Sequence, residues 1–330
     1  MKVIKFFAIT AMAAAMITSC SNEDELSQSN YPSDNIIRVT AGVNNAKTRA
    51  EGAGTPLENP LSLTVVNKNA PKYTYVDQEF SKTSGDWACS ETLLWQKSDA
   101  LVDIVAFAPA QQGKFNGVYD NGSIQPIAYS VADDQSTSSA NNDLLYYYAK
   151  DFNPGESLDK GKLKIQFNHA FCMIDINVTL GTEFNKPEVL KESPIVKVTL
   201  GGTKIAANVN VTNAASVVTA SGEAADITTT KGIFTKAENA DKKADPEVNA
   251  ISRFSCIAIP QTVGANTFKV SLMTADKVYE WTSKTAVELK SGYRYTLELS
   301  MGNDVVLLKG GSISATPWTE ITSDKPLETD

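Results

Sequence analysis

Between Leu163 and Leu180 apolar side chains fall on every second residue, a spacing that suits a β-strand and no helix. Leu163, Ile165, Phe167, His169 and Phe171 take the odd positions, and Cys172, Ile174, Ile176, Val178 and Leu180 the even ones. The phase flips between Phe171 and Cys172. One extra residue turns every following side chain to the opposite face, so a β-bulge or a bend is expected there. Two such strands in succession must bury their apolar faces against further sheet.

The rest of the chain supplies it. Leu61, Leu63 and Val65 alternate, and Leu101 to Pro109 is apolar enough for a central strand buried on both faces, ended by Pro109. Further strands are expected around Val196 to Leu200, Ala206 to Val211, Phe254 to Pro260, Phe268 to Met273 and Val278 to Trp281. Tyr293, Tyr295, Leu297 and Leu299 face one way with Arg294, Thr296, Glu298 and Ser300 opposite, as in a half-buried antiparallel strand. Asn121-Gly122 suits a tight turn, and charged Lys231 to Asn249 reads as a surface loop. The expected class is all-β. At 330 residues the chain exceeds one ordinary core, and two domains of roughly 140 residues are expected. The division is placed near Gly181 to Pro194, giving an N-terminal β-sandwich over 35–188, a C-terminal one over 189–322 and a polar tail over 323–330.

Residues 1–19 read as a secretory leader, with Lys2 and Lys5 before the apolar run Phe6 to Ile17, which is too short to span a bilayer. Its end, Ile17-Thr18-Ser19-Cys20, resembles a lipobox, with Cys20 lipidated and first in the mature chain; the alternative is ordinary signal cleavage beside a chance cysteine. Residues 20–34 form an acidic tether whose Glu23, Asp24 and Glu25 resemble the signal that sends some lipoproteins to the outer face of the outer membrane. Loss of the leader leaves 28 basic residues against 38 acidic, a charge of −10, which argues against nucleic acid or an anionic membrane surface as partner. Cys89, Cys172 and Cys256 are too few and too widely spaced for a disulfide scaffold or a metal site; buried small hydrophobes are expected, with one bridge as the alternative.

Behind the tether, Asn35 to Val43 is a short strand with Ile37, Val39, Ala41 and Val43 on one face. A polar loop follows, carrying Arg49-Ala50, where a trypsin-like protease could cut. Chemistry is sparse. His169, the one histidine, sits in an apolar strand and reads as a hydrogen-bonded core residue. Asp133-Asp134 reads as solvated or turn-capping, and Asp99 with Asp103 is the other acidic pair. Tyr146 to Tyr148 offer either a sugar-stacking platform or a strand half in the core. No catalytic set, metal site or cofactor motif emerges.

Several stretches in order carry a resemblance: Trp95 to Asp99, the F-A-P strand end at Phe107 to Pro109, D-D-Q-S at Asp133 to Ser136, N-D-L-L-Y at Asn142 to Tyr146 and F-N-H-A-F at Asn168's neighbourhood, Phe167 to Phe171. Leu289 to Tyr295 and Trp318 fit as well. With the lipobox and T-R-A at Thr48 to Ala50, the chain resembles the fimbrillin family of type V pilus subunits and pilin-like lipoproteins. The resemblance implies two tandem transthyretin-like β-sandwiches and assembly with other pilus subunits in adhesion. It also implies an Arg-specific protease that cuts after Arg49, removal of the strand Asn35 to Val43, and a neighbour's strand in its place. Asp304 to Trp318 is the expected donor region. The alternatives are a permanent role for the strand, or a glycan-binding lipoprotein of a nutrient-uptake complex.

Overall fold

The computed structural model describes residues 30–44, 55–137, 142–181, 184, 192–237, 249–302 and 304–318. The expected leader over residues 1–19, Cys20, Arg49 and Ala50 lie outside the described residues, as do residues 319–330. The described chain is almost entirely β. Its first eleven strands are β1 Val39–Val43, β2 Thr55–Pro56, β3 Leu61–Val66, β4 Tyr75–Thr83, β5 Asp86–Cys89, β6 Val102–Ala108, β7 Tyr119–Asp120, β8 Ser123–Ile124, β9 Ile127–Ser130, β10 Leu145–Phe152 and β11 Leu163–His169. Next come β12 Cys172–Leu180, β13 Lys197–Val209, β14 Val218–Thr228, β15 Thr230–Lys231, β16 Ile251–Ala258 and β17 Gln261–Val263. The last are β18 Lys269–Met273, β19 Val278–Thr282, β20 Val287–Leu289, β21 Tyr293–Met301, β22 Val306–Leu308 and β23 Ser314–Pro317.

The N-terminal unit is one sheet in the order β2-β1-β11-β10-β6-β3-β4-β5. β10 and β11 pair only at Leu145 with His169 and Tyr146 with Asn168. This narrow join lets the sheet fold over, so that β1 and β11 pack across a shared core from β3 and β6. β6 is buried along its whole length, as its continuous apolar run requires. Its Val102, Ile104 and Ala106 enter this core, whereas Val105 and Phe107 enter the second one.

The second core lies between two sheets, β15-β16-β12-β21-β22 with β23 also on β21, and β14-β13-β18-β19 with β9 on β13. This is the second sandwich. Strand pairing places the change of unit earlier than the division expected near 181–194. β12 lies between β16, antiparallel, and β21, parallel, in the middle of the C-terminal sheet. The phase flip at Phe171/Cys172 is therefore a bend between sheets. Phe167 is buried in the first core and Phe171 in the second, with Ala170 between them donating its N–H to Leu144 O at 2.8 Å. The excursion from Phe115 to Val131 also belongs to the second core, through Phe115, Val118, Ile127, Tyr129 and Val131. Of the loop expected at Lys231 to Asn249, Lys231 instead ends the strand β15 and pairs with Phe254 of β16; residues 238–248 lie outside the described residues.

Candidate functional site

The site of interest is the groove that holds β1. β1 runs parallel to β11, with Val39 opposite Leu163 and Val43 opposite Phe167. Leu163 N–H donates to Arg38 O at 2.7 Å, and Asn44 N–H to Phe167 O at 2.8 Å. Ahead of β1, Ile37 N–H reaches Leu93 O at 2.9 Å and Trp95 N–H reaches Asn35 O at 2.8 Å. Among the described residues the strand's other edge meets only the two residues of β2, with Gly42 opposite Pro56 and Val43 opposite Thr55. The grip is thus strong on one side and short on the other.

Three of the four residues expected on the inner face are deeply buried, with Ile37 4% exposed, Val39 3% and Val43 4%. Ala41 is half-buried against the same core, which includes Leu93, Trp95, Leu163, Ile165 and Phe167. These side chains form an apolar floor that β1 covers. Outside, the Arg38 guanidinium forks onto Asp34, Nη1 to Oδ1 at 3.0 Å and Nη2 to Oδ2 at 2.5 Å, and holds the Asp34 carboxyl down to about 2. Val43 and Thr55 are paired neighbours, so a cut between residues 49 and 50 would separate β1 from the rest of the chain without interrupting any described strand.

The expected donor region is engaged within its own fold. β22 and β23 both lie antiparallel on β21, separated by a turn at Lys309–Gly311 in which Gly310 takes φ 71°. The side chains of β23 are all exposed, so its backbone pairing and Trp318 hold it. Trp318 N–H donates to Gly292 O at 2.7 Å, and its ring stacks on His169 at 3.8 Å. A cleft of about 510 Å³ opens beside this segment, lined in part by Trp281, Lys284, Glu288, Tyr295, Leu308 and Ile313.

The residues weighed for chemistry do not converge. His169 is buried, its Nδ1 2.8 Å from Asp143 Oδ2 and its face under Trp318, as expected of a core histidine. Asp134 caps a turn by accepting from Ser136 N–H at 2.9 Å, and its hydrogen bonds to Ser136 hold its carboxyl below the usual range. Asp103 is buried against Lys68 at 2.7 Å, whereas Asp99 is exposed beside Lys97. Tyr146 and Tyr148 pack on the second core and Tyr147 on the first, so the run straddles a sheet and offers no open stacking platform. Cys172 and Cys256 are buried free thiols that burial pushes up, and Cys89 is a half-buried free thiol. Among the described residues no group of three His, Cys, Asp or Glu could hold a metal.

One structural residue escapes sequence reasoning. Gln135, fully buried, donates from its amide nitrogen to Ile257 O at 2.9 Å and Ala132 O at 3.1 Å, while its amide oxygen accepts from Ile257 N–H at 2.8 Å. The side chain acts as a one-residue strand on the edge of β16 beyond the end of β15. Gln261 does the same for Lys204, with both bonds at 3.0 Å. These amides tie backbone groups that burial would otherwise strand.

Fold and groove together define an all-β protein of two sandwiches with a short strand near the start that is paired along one edge with β11 and, among the described residues, only briefly along the other. Comparison agrees. The fimbrillin-like family matches residues 45–318, and this chain belongs to it. Among solved structures, a candidate cell adhesion protein from Bacteroides ovatus ATCC 8483 superposes with a TM-score of 0.59 at 17% identity, covering 87% of this chain and 98% of that one. A candidate cell adhesion protein from Bacteroides uniformis ATCC 8492 gives 0.54 at 14% identity, covering 87% and 100%. A fimbrial protein from Bacteroides vulgatus ATCC 8482 gives 0.51 at 14%, covering 86% and 99%. At these identities the likeness concerns the fold. Among curated proteins, none matches by sequence.

Proposed function

We propose that this chain is a subunit of a cell-surface pilus that assembles by exchange of β1. An Arg-specific protease cuts after Arg49, β1 leaves, and the opened edge of β11 accepts a strand from another subunit. Lipid on Cys20 holds the precursor at the outer membrane until the cut, and the assembled pilus serves adhesion. Membership of the fimbrillin-like family supports the pilus role. The observation that carries the exchange step is the seating of β1: apolar floor below, β11 along one edge and two residues of β2 along the other.

The driving force follows from that geometry. Removing β1 bares the floor under Val39 and Val43 and leaves the backbone groups of β11 from Leu163 to Phe167 without partners. An unpaired, apolar-floored edge accepts an added strand, which restores both the hydrogen bonds and the burial. Arg49→Ala should block maturation in the native host, leaving the precursor uncut and unassembled. Normal processing and surface assembly of that variant would sink the cut-site assignment.

A further inference from the structure

We propose a second cleavage, between Arg38 and Val39, which the folded precursor conceals and departure of β1 exposes; this rests on the reading that the first cut follows Arg49. The chain has four arginines, Arg38, Arg49, Arg253 and Arg294. An endoprotease binds its substrate as an extended strand, so the backbone around the scissile bond must be free of other pairing. Arg253 and Arg294 never meet that condition while the fold persists. Arg253 lies opposite Asn177 on one edge, and its carbonyl accepts from Gly232 N–H at 2.8 Å on the other. Arg294 lies between Met173 and Thr316, with its Nε 3.1 Å from Asp175.

Arg38 differs. Its backbone is held by elements that stay behind when β1 departs: its carbonyl by Leu163 N–H, and its neighbours Ile37 and Val39 by Leu93 and Leu163. Among the described residues the contact that travels with it is the Asp34 fork, whose side chains are 41% and 46% exposed. A screened surface pair of this kind does not withhold the arginine from a protease pocket. The released peptide therefore presents an unpaired Arg38–Val39 bond to the enzyme that has just freed it. Hydrolysis adds one water across this bond, leaving a carboxylate on Arg38 and an ammonium on Val39.

The consequence is a ratchet. The intact peptide can return to its groove and compete with the incoming strand. After the second cut, Ile37 is separated from Val39–Val43, and rebinding would carry two new charges to the point where Val39 is 3% exposed. Burying an unpaired charge there is strongly unfavourable. Release of β1 becomes irreversible.

The test is a timed digestion of the full chain in mild detergent with an arginine-specific endoprotease, followed by intact mass. The expected order is cleavage after Arg49 first and after Arg38 second, with Arg38 cut only in released peptide. A synthetic peptide of residues 30–49 should be cut after Arg38 about 10²-fold faster, or more, than the same bond in the uncut chain, because the folded bond reacts only through opening. In Arg38→Lys the charge and the Asp34 pair remain but the bond resists this enzyme. Once the protease is inhibited, its peptide should return to the core in size-exclusion chromatography, whereas the parent's should not. Cleavage after Arg38 in the uncut chain at the peptide's rate would overturn the proposal, as would a released peptide that stays whole. Those results leave the Arg49 reading standing; absence of any cut after Arg49 overturns both.

Discussion

If β1 is a plug held separately from the rest of the fold, trimming its core side chains should loosen it alone. Val39 and Val43 are 3% and 4% exposed, and both face the first core. Val39→Ala with Val43→Ala removes two methyl groups at each position. At about 0.8 kcal/mol per buried carbon the transfer loss is ~3 kcal/mol for the pair, and unrelaxed cavities add to it. A loss of ~3 kcal/mol raises the opening equilibrium by about 10²-fold. Native-state hydrogen exchange reads this directly. β11 amides that face β1, Leu163 among them, should lose about 10²-fold of protection. Amides of β12, paired on both sides by β16 and β21, should keep theirs. If β11 and β12 lose protection in step, β1 opens only with global unfolding and the plug argument fails.

The buried amide of Gln135 and the stacked ring of Trp318 give further expectations. Gln135→Leu leaves the buried N–H and C=O of Ile257 without the amide that serves both, at a cost of about 2–5 kcal/mol. A urea midpoint close to that of the parent would show that the amide is no clamp. Trp318→Ala removes the ring stacked on His169 and should speed exchange across β22 and β23 while leaving β16 protected. Unchanged exchange in β23 would mean that backbone pairing alone holds the C-terminal segment.

Local patterns were legible because alternation reports which face a residue takes. β6 read as buried on both faces, as it is. β21 read as a half-buried antiparallel strand, and it is half-buried and antiparallel to β22 and β23 but parallel to β12. Of the inner face read as Ile37, Val39, Ala41 and Val43, all but the half-buried Ala41 are buried. Alternation carries nothing about which strand lies alongside. β12 follows β11 after two residues, yet its partners are some 80 and 120 positions away, Cys256 opposite Ile174 and Leu297 opposite Ile176. The change of sheet at Ala170–Phe171 was therefore visible as a phase flip, but not as a change of unit. Gln135 was less visible still. It stands in the polar run D-D-Q-S, and its role depends on meeting Ile257, 122 residues later. Gly42 shows a third limit: it stands outside the inner-face set Ile37, Val39, Ala41 and Val43, yet the structure buries it.

The central claim is that β1 can leave and be replaced. It is tested most directly by digesting the full chain in mild detergent with an arginine-specific protease, then adding uncut, isotope-labelled chain and following intact mass and size-exclusion profile together. The account predicts a first cut after Arg49, loss of β1 from the core, and oligomers of increasing size that contain cut subunits. A chain cut after Arg49 that retains β1 and stays monomeric would contradict it, since β1 would then be a permanent member of the sheet.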